Sequence, residues 1–490
     1  MRLAPGKIQA RRRTSHAVYY RRSRMRSTLV KILLASLWCV CVYRAVTQSI
    51  VHDEALTFEL YLARGTRWIF KYYDANNHFL NTLLMRATVW VFGVHEWSMR
   101  LPALAGAGLY FAAVYRLCTR TLRTTAGALL ATALLTLNPF ILDLMVAARG
   151  YGLALAFWMW ALIWLIEFVG DAAKLGANLA KAGVALLLSV CANLTFLVPA
   201  APLAGIIVIL WIRRRTAPGT HARRIAVAIL VLCICVLFLA AVRVTRELGA
   251  FLYVGYPAMW GSLRSLTEVS LAHGWPFRYA PWMPYWIDAV AFCFAPAAVV
   301  AALIAGAKSR DPLLLLISGS ALGSAVILAI LHALAGVPYP ADRTGLYFLV
   351  LAPLALVGVG DRRRGATLVT AYALAVVATV QFALQFDTRR FLSWEYDADT
   401  KQIVARLAQD VRDKRPSAVR ASWLLESSLN FYRRTWRLVW MREVAREPVA
   451  AGADYYILHD SDRAAVRSLG LRKIYQGPIS GNVLAAAPKP

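Results

Sequence analysis

The sequence predicts a mainly α fold: a polytopic membrane helical bundle of about eleven transmembrane helices, with interfacial helices in the first external loop and a small C-terminal α/β domain outside the membrane. Three observations predict it. Apolar runs close to the length of a bilayer crossing recur through residues 29–386, in a chain that is 59% hydrophobic with a mean hydropathy of +0.53. In lipid such runs satisfy their own backbone groups by forming helices. Lys and Arg clusters after residues 117, 212, 307 and 360 all fall on one side under a single counting scheme, as cytoplasmic loops do. From residue 387 the composition turns mixed, over a length that suits one compact domain.

Residues 1–28 form a basic tail without an acid, which places the N-terminus in the cytoplasm and does not fit a cleaved signal. The first crossing is 29–50, with Lys31 and Arg44 near its ends, where long side chains snorkel. The first external loop, 51–99, contains an apolar stretch at 79–92 that is too short to span and is interrupted by Arg86. It reads as a helix in the interface, anchored by Trp90 and Trp97. Further crossings are expected at 100–117, 126–142, 151–169, 181–193, 196–212, 225–244, 285–307, 313–335, 345–360 and 366–386, closing a membrane domain over 29–386. In the extracytoplasmic domain at 387–490, residues 401–414 have helical spacing, while 418–425 and 453–460 read as strands.

The formal net charge of +29 invites a nucleic-acid partner. That class is excluded, because the charge falls in short clusters between apolar runs and no motif interleaves basic with aromatic residues. Membrane lipids are the partners such clusters meet. The seven cysteines lie in or beside apolar runs without zinc-site spacing and read as small core residues. No phosphate-binding Gly-Lys loop, hydrolase elbow or dinucleotide fingerprint is present.

The external face collects Asp53, Glu54, Asp74, His78, Asp143, Arg149, His273, Asp342 and Arg343. Ionised groups near a membrane are costly unless paired or solvated, so their common side marks a candidate site. Adjacent carboxylates point different ways on a helix, so at most one of Asp53 and Glu54 would face that site, where Asp53 suits a base for a hydroxyl. The plainer role for the pair is to start a surface helix. Arg149 begins a span, with Gly150 and Gly152 leaving room around it, and suits a phosphate; a salt bridge to Asp143 is the plainer alternative. Asp342 and Arg343 follow the proline-rich "VPYP" at the mouth of a span, as a site pair or a local ion pair. His52 and His78 match no metal motif with Asp53 or Asp74; no metal ligands are assigned, and a divalent metal is left open as a cofactor. His78 reads as a hydrogen-bonding group for substrate or backbone.

In their order and spacing these pieces resemble the membrane-embedded C-type glycosyltransferases, in the bacterial branch around the protein mannosyltransferases and the lipid A aminoarabinose transferase. The matching residues are Asp53-Glu54, Asn77-His78-Phe79-Leu80, Phe92-Gly93, Glu96-Trp97, Arg100-Leu101-Pro102, Asn138-Pro139-Phe140 and Ala148-Arg149-Gly150-Tyr151, within roughly 50–160. A weaker match covers the span that follows Asp342-Arg343. Phe79-Leu80 replaces the family's proline pair. Ala147 replaces the acid two residues before the family arginine, with Asp143 the nearest substitute.

The resemblance implies an integral inner-membrane enzyme. It would move a sugar from a polyprenyl-phosphate donor to a hydroxyl of a glycan, lipid or protein acceptor, at the extracytoplasmic face and with inversion. Asp53 would be the general base, with Glu54 beside it. Arg149 and Arg343 would hold the donor phosphate, and Asp74, His78, Asp143, Tyr151 and Asp342 would line the substrate site, with Asp143 and Asp342 orienting the arginines. The competing class is a lipid transporter or flippase. It is disfavoured because the acids gather at one face and the halves show no repeat.

Overall fold

Apolar runs become helices here, and the polar residues that interrupt them mark where helices end. The structure, a computed structural model, describes residues 5–71, 74, 76–170, 175–213, 255–274, 278–411 and 417–488. Helix α1 (Pro5–Thr47) carries the first crossing, and the loop after it folds into α2 (His52–Thr57), α3 (Arg67–Lys71) and α4 (Phe79–Phe92). Next come α5 (Glu96–Thr121), α6 (Thr125–Thr136), α7 (Pro139–Val146), α8 (Tyr151–Gly170), α9 (Leu175–Ala192) and α10 (Leu197–Arg213). From residue 255 the order is β1 (Gly255–Tyr256), α11 (Met259–Leu271), then α12 (Met283–Asp288) running through a π-helical turn into α13 (Ala295–Ser309). Helix α14 (Pro312–Ala335), the short β2 (Tyr339–Pro340) paired with β1, α15 (Phe348–Arg362) and α16 (Ala366–Leu384) complete the bundle.

Among the described residues six helical stretches are long and apolar enough to cross a membrane, and the bent pair α6–α7, counted as one broken span, would make a seventh. Helices α9, α10 and α15 stand where crossings were expected but are shorter than a full span. The expected crossing at 225–244, and the basic loop before it, lie outside the described residues.

The crossing expected at 126–142 is corrected: it ends at Thr136, and α7 turns off by 59°. The cause is local. Pro139 has no N–H to continue α6, and the Asn138 side chain caps a new helix by accepting from the backbone of Phe140 and Ile141 at 3.0 and 3.3 Å. Helix α4 keeps its expected bounds, with Trp90 85% exposed, as an interfacial anchor is.

At the end opposite the site, loops expected to be cytoplasmic meet one another. Arg362 Nε donates to Asp311 at 2.6 Å, and Asp361 accepts from the Thr124 backbone at 2.9 Å.

The C-terminal domain contains α17 (Thr400–Asp410), β3 (Val419–Ala421), α18 (Glu426–Thr435), β4 (Tyr455–Leu458), β5 (Arg472–Gln476) and β6 (Val483–Ala486). The sheet order is β3-β4-β6-β5, with β3 parallel to β4 and the other pairs antiparallel. Its core residues Leu407, Leu429 and Ile457 are continuous with Ile50, Phe58 and Met85 of the segment that follows α1. Domain and loop therefore bury one apolar surface together, and α2 is held from both sides.

A strap over residues 385–399 joins the last membrane helix to this domain. Thr388 accepts from Gln48 Nε2 at 2.9 Å, Arg390 from Arg44 Nη2 at 2.9 Å, and Ala398 from the Ser49 hydroxyl at 2.9 Å, all through backbone carbonyls. The strap thus crosses the C-terminal end of α1.

Candidate active site

The site forms where α2 begins. The Val51 N–H donates to Glu54 Oε2 at 3.0 Å, which closes the first turn of α2 and turns Asp53 to the opposite face. Glu54 is completely buried and saturated. Arg100 donates to it from Nε at 2.9 Å and from Nη2 at 2.6 Å, and the Ala148 N–H donates at 2.6 Å. Arg100 spends its other N–H groups on the carbonyls of Ala45, Gln48 and Ser49, at 3.2, 2.8 and 2.7 Å. With its lone pairs taken, Glu54 is corrected from a candidate reacting group to a positioning one. It binds the residue beside Arg149 while sitting beside Asp53 in the chain.

Asp53 faces two cations. Its Oδ2 lies 3.0 Å from Arg343 Nη2 and 3.7 Å from Arg149 Nη2. Arg149 is almost fully buried and donates from Nη1 to Asn76 Oδ1 at 2.5 Å. Asn76 is itself set by Asp74, which accepts from its backbone N–H at 2.9 Å and its side-chain amide at 3.0 Å. Asp74 therefore acts at one remove, through Asn76. The Arg343 guanidinium lies 5.3 Å from the ring of Trp394 in the strap and is hydrogen-bonded to Tyr151. A third of the Arg343 side chain is exposed, against 2% for Arg149, so Arg343 stands at the mouth.

His78 packs edge-on against the Tyr151 ring at 5.1 Å, and its Nε2 is buried without a hydrogen-bond partner. Gly150 permits this closeness: a Cβ there would lie 1.9 Å from the Ala192 carbonyl oxygen and 2.9 Å from His78 Cβ.

Two expected members are placed elsewhere. Asp143 was expected to orient Arg149 and does not. It pairs with Arg44 at 2.5 Å and accepts from the Leu392 N–H at 2.6 Å. The reason is the bend at Asn138, which points α7 back to α1 and the strap; Arg44, expected to snorkel, is buried by the same contact. Asp342 does not orient Arg343 either. It adopts a left-handed backbone at φ 43° and bonds the Ser265 hydroxyl on α11. That turn sends the next side chain toward Asp53.

Burial favours the protonated form of Asp53, but Arg149 and Arg343 outweigh it and hold the carboxyl below the usual range. Burial, reinforced by the same two arginines, holds His78 well below the usual histidine range, so the ring is neutral. Behind the site, burial pushes the Asp397 carboxyl up to about 8, although the His52 N–H and the Thr400 hydroxyl both donate to it. The folded chain thus binds a proton that the unfolded chain releases above the ordinary aspartate range. This contribution is fully present below that range and is lost as pH rises toward 8. Asp397→Asn is expected to flatten the fall in unfolding temperature between pH 5 and pH 8, read by thermal melts of the purified chain.

An apolar cavity of about 270 Å³ lies beside the site, lined by residues that include Leu134, Leu266, Ser270, Phe348 and Phe382. Leu266, in its lining, packs against Gly345, two residues after Arg343, which ties the cavity to the loop that carries that arginine. Among the described residues no group of three or more His, Cys, Asp or Glu side chains is placed to hold a metal. Asp143 and Glu54, the carboxylates nearest to such a role, are already bound to arginines and backbone N–H groups.

Sequence reasoning missed Trp394, Asn76 and Asp397 and left Arg44 at the lipid boundary. The legible signal was position: "LSWEYD" is the first polar-aromatic run after the last crossing.

No family model matches the chain, and no curated protein does. Among solved structures it is similar to ArnT from Cupriavidus metallidurans bound to undecaprenyl phosphate, at 14% identity over 94% of this chain and 99% of that one, with a TM-score of 0.44. It is similar to the arabinofuranosyltransferase AftD from mycobacteria, at 15% identity over 94% of this chain and 40% of that one, TM-score 0.44. It is also similar to the oligosaccharyltransferase of Archaeoglobus fulgidus tethered with an acceptor peptide, at 13% identity over 82% of this chain and 63% of that one, TM-score 0.39. Likenesses this loose carry no functional argument, which must come from the chain's own residues.

Proposed function

We propose that this chain is a membrane glycosyltransferase that moves a sugar from a polyprenyl-phosphate donor to an acceptor hydroxyl at the extracytoplasmic face of the inner membrane, with inversion. One observation carries the reading: a buried carboxylate lies 3.0 and 3.7 Å from two guanidiniums, next to an apolar cavity. A lipid-linked anionic donor needs both features, a cationic seat for its phosphate and an apolar slot for its tail.

Asp53 takes the proton of the acceptor hydroxyl as that oxygen forms its bond to the anomeric carbon. The bond from that carbon to the phosphate oxygen breaks, and its electron pair leaves with the polyprenyl phosphate, which gains one negative charge. Arg149 and Arg343 are fixed where that charge grows, and a site partly closed to water raises their worth.

The pairing also sets the timing. Before donor binds, the arginines hold Asp53 ionised and weakly basic. The donor phosphate competes for the same guanidiniums, and as they turn to it, burial raises the proton affinity of Asp53 when a base is needed.

This has a testable sign. Removing one cation lets burial dominate, so Arg343→Gln is expected to move the acid limb of kcat/KM to higher pH and to raise the KM for donor about tenfold. Initial rates from pH 4 to pH 8 would show it; an unmoved limb counts against Arg343 as the partner of Asp53.

The function itself is tested with the full chain in nanodiscs and undecaprenyl-phosphate-linked sugars, following radiolabel into a membrane-extract acceptor. Movement of such lipids across liposomes without any glycosyl product would establish transport instead.

A further inference from the structure

Three backbone N–H groups lead into Asp53, and each is held by a side chain. The Ile50 N–H donates to the Tyr432 hydroxyl at 2.9 Å, the Val51 N–H to Glu54 Oε2 at 3.0 Å, and the His52 N–H to Asp397 Oδ2 at 2.6 Å. The first partner belongs to α18 of the C-terminal domain and the second to α2 itself. The third comes from the strap, and it holds the residue next to Asp53.

Asp397 is fully buried and, among the described residues, forms no ion pair; it also accepts from the Thr400 hydroxyl at 3.2 Å. A buried carboxyl without a cation is costly as an anion, and burial keeps most of this one protonated at neutral pH. It thus holds the His52 N–H through a neutral group and adds little negative charge beside Asp53. The backbone around it is fixed. Ala398 accepts from the Ser49 hydroxyl at 2.9 Å, and Asp399 accepts from the N–H groups of Ile479 and Ser480 at 2.9 and 2.6 Å. Helix α2 has only six residues, too few to set its own orientation.

We infer that Asp397 is a positioning residue for Asp53: by holding the His52 N–H it sets the turn on which that carboxylate meets Arg343 and Arg149. The inference rests on the transferase reading above and deepens it. The two arginines have other holds, Asn76 for Arg149, and Trp394 and Tyr151 for Arg343. Loss of the His52 contact therefore moves Asp53 against cations that stay.

The charged and titratable groups around the two acids are Arg149 and Arg343, His52 on α2, Tyr396 on the strap, and Glu426 and Arg446 beyond His52. The arginines do most to hold Asp53 ionised, so its acid limb reports its place beside them. Glu54, Asp74, His78 and Asp342, on the segments around the arginines, are common to every variant compared.

The test compares wild type, Asp397→Ala and Asp397→Asn as full chains in nanodiscs, with an undecaprenyl-phosphate-linked sugar. Folded sites are counted with radiolabelled undecaprenyl phosphate. Alanine is expected to lower kcat per site about 10²-fold, as a displacement of about 1 Å does. It is also expected to move the acid limb of kcat/KM to higher pH, because Asp53 is no longer held beside Arg343. Asparagine keeps an acceptor for the His52 N–H and is expected to recover most of the rate and return the limb. A residue that only supports the fold would change the number of sites and leave the limb in place. An unmoved limb in Asp397→Ala, or asparagine no better than alanine, overturns the inference and leaves the transferase reading intact. Asp397→Gln, which carries its polar end one methylene further, replaces alanine if that variant does not assemble.

If no sugar is transferred, the transferase reading fails and binding decides the point. With Asp53 released from the arginines, Asp397→Ala is expected to bind undecaprenyl phosphate about threefold more tightly. In an Asp53→Asn background the same change is expected to have no effect. Any other pattern, an equal change in both backgrounds included, overturns the inference.

Discussion

Asparagine at position 53 is expected to lower kcat by about 10²–10⁴-fold, the usual worth of a positioned base, with the fold retained. The backbone bonds of α2 do not depend on the Asp53 side chain, whose ion pairs are with Arg343 and Arg149, so the variant is expected to fold while melting somewhat below wild type. The same substitution removes the anion that competes with donor phosphate for those arginines, so Asp53→Asn is expected to bind undecaprenyl phosphate more tightly while turning it over less. A general loss of structure would weaken binding and rate together, so the opposite movement of the two is diagnostic. Wild-type transfer by this variant removes Asp53 from the mechanism.

The other large effect concerns stability. Glu54→Gln and Arg100→Leu each leave a buried charge without its partner, a loss of about 3–5 kcal/mol in other proteins. Thermal unfolding in nanodiscs should show both variants melting well below wild type. The double replacement Glu54→Leu with Arg100→Leu should recover part of the loss, because it removes both charges at once. Activity should not recover with it: without Glu54 Oε1 to receive the Ala148 N–H, the backbone carrying Arg149 is no longer tied to the turn carrying Asp53. A Glu54→Gln protein that melts like wild type would show that the pair adds little.

The bundle was legible in the sequence to the extent that lipid constrains it. A backbone in hydrocarbon has few alternatives to a helix, so every expected crossing within the described residues contains one. Lengths were less legible. The bend at Asn138 depends on one side chain capping a new helix rather than pointing into lipid, and an apolar window cannot register that choice. Strands β3 and β4 were expected from their β-branched and aromatic residues. Strands β5 and β6 carry "RKIYQ" and "VLAA", where charge and alanine hide the alternation.

Of the residues expected at the site, the structure brings Asp53, His78, Arg149, Tyr151 and Arg343 together, but the sequence did not show how they pair. Sequence neighbours suggested Asp143 with Arg149 and Asp342 with Arg343. The structure instead joins Asp53 to both arginines, across separations of 96 and 290 residues, and leaves the nearby acids to other duties. Long-range charge pairing depends on where helix ends meet in space, and local spacing does not encode it. Glu54 shows the same limit: nothing in "DEA" tells which of two adjacent acids turns inward to an arginine 46 positions later.

The strap has a consequence for biosynthesis. Arg44 emerges from the ribosome early, yet one acceptor that steadies it is the carbonyl of residue 390, and its partner Asp143 waits for the N–H of residue 392. Until nearly four-fifths of the chain is translated, that ion pair lacks its two strap partners, the carbonyl of Arg390 and the N–H of Leu392. The outer shell around Asp53, Trp394 included, is therefore completed late in synthesis, after the bundle helices that precede the strap have been made.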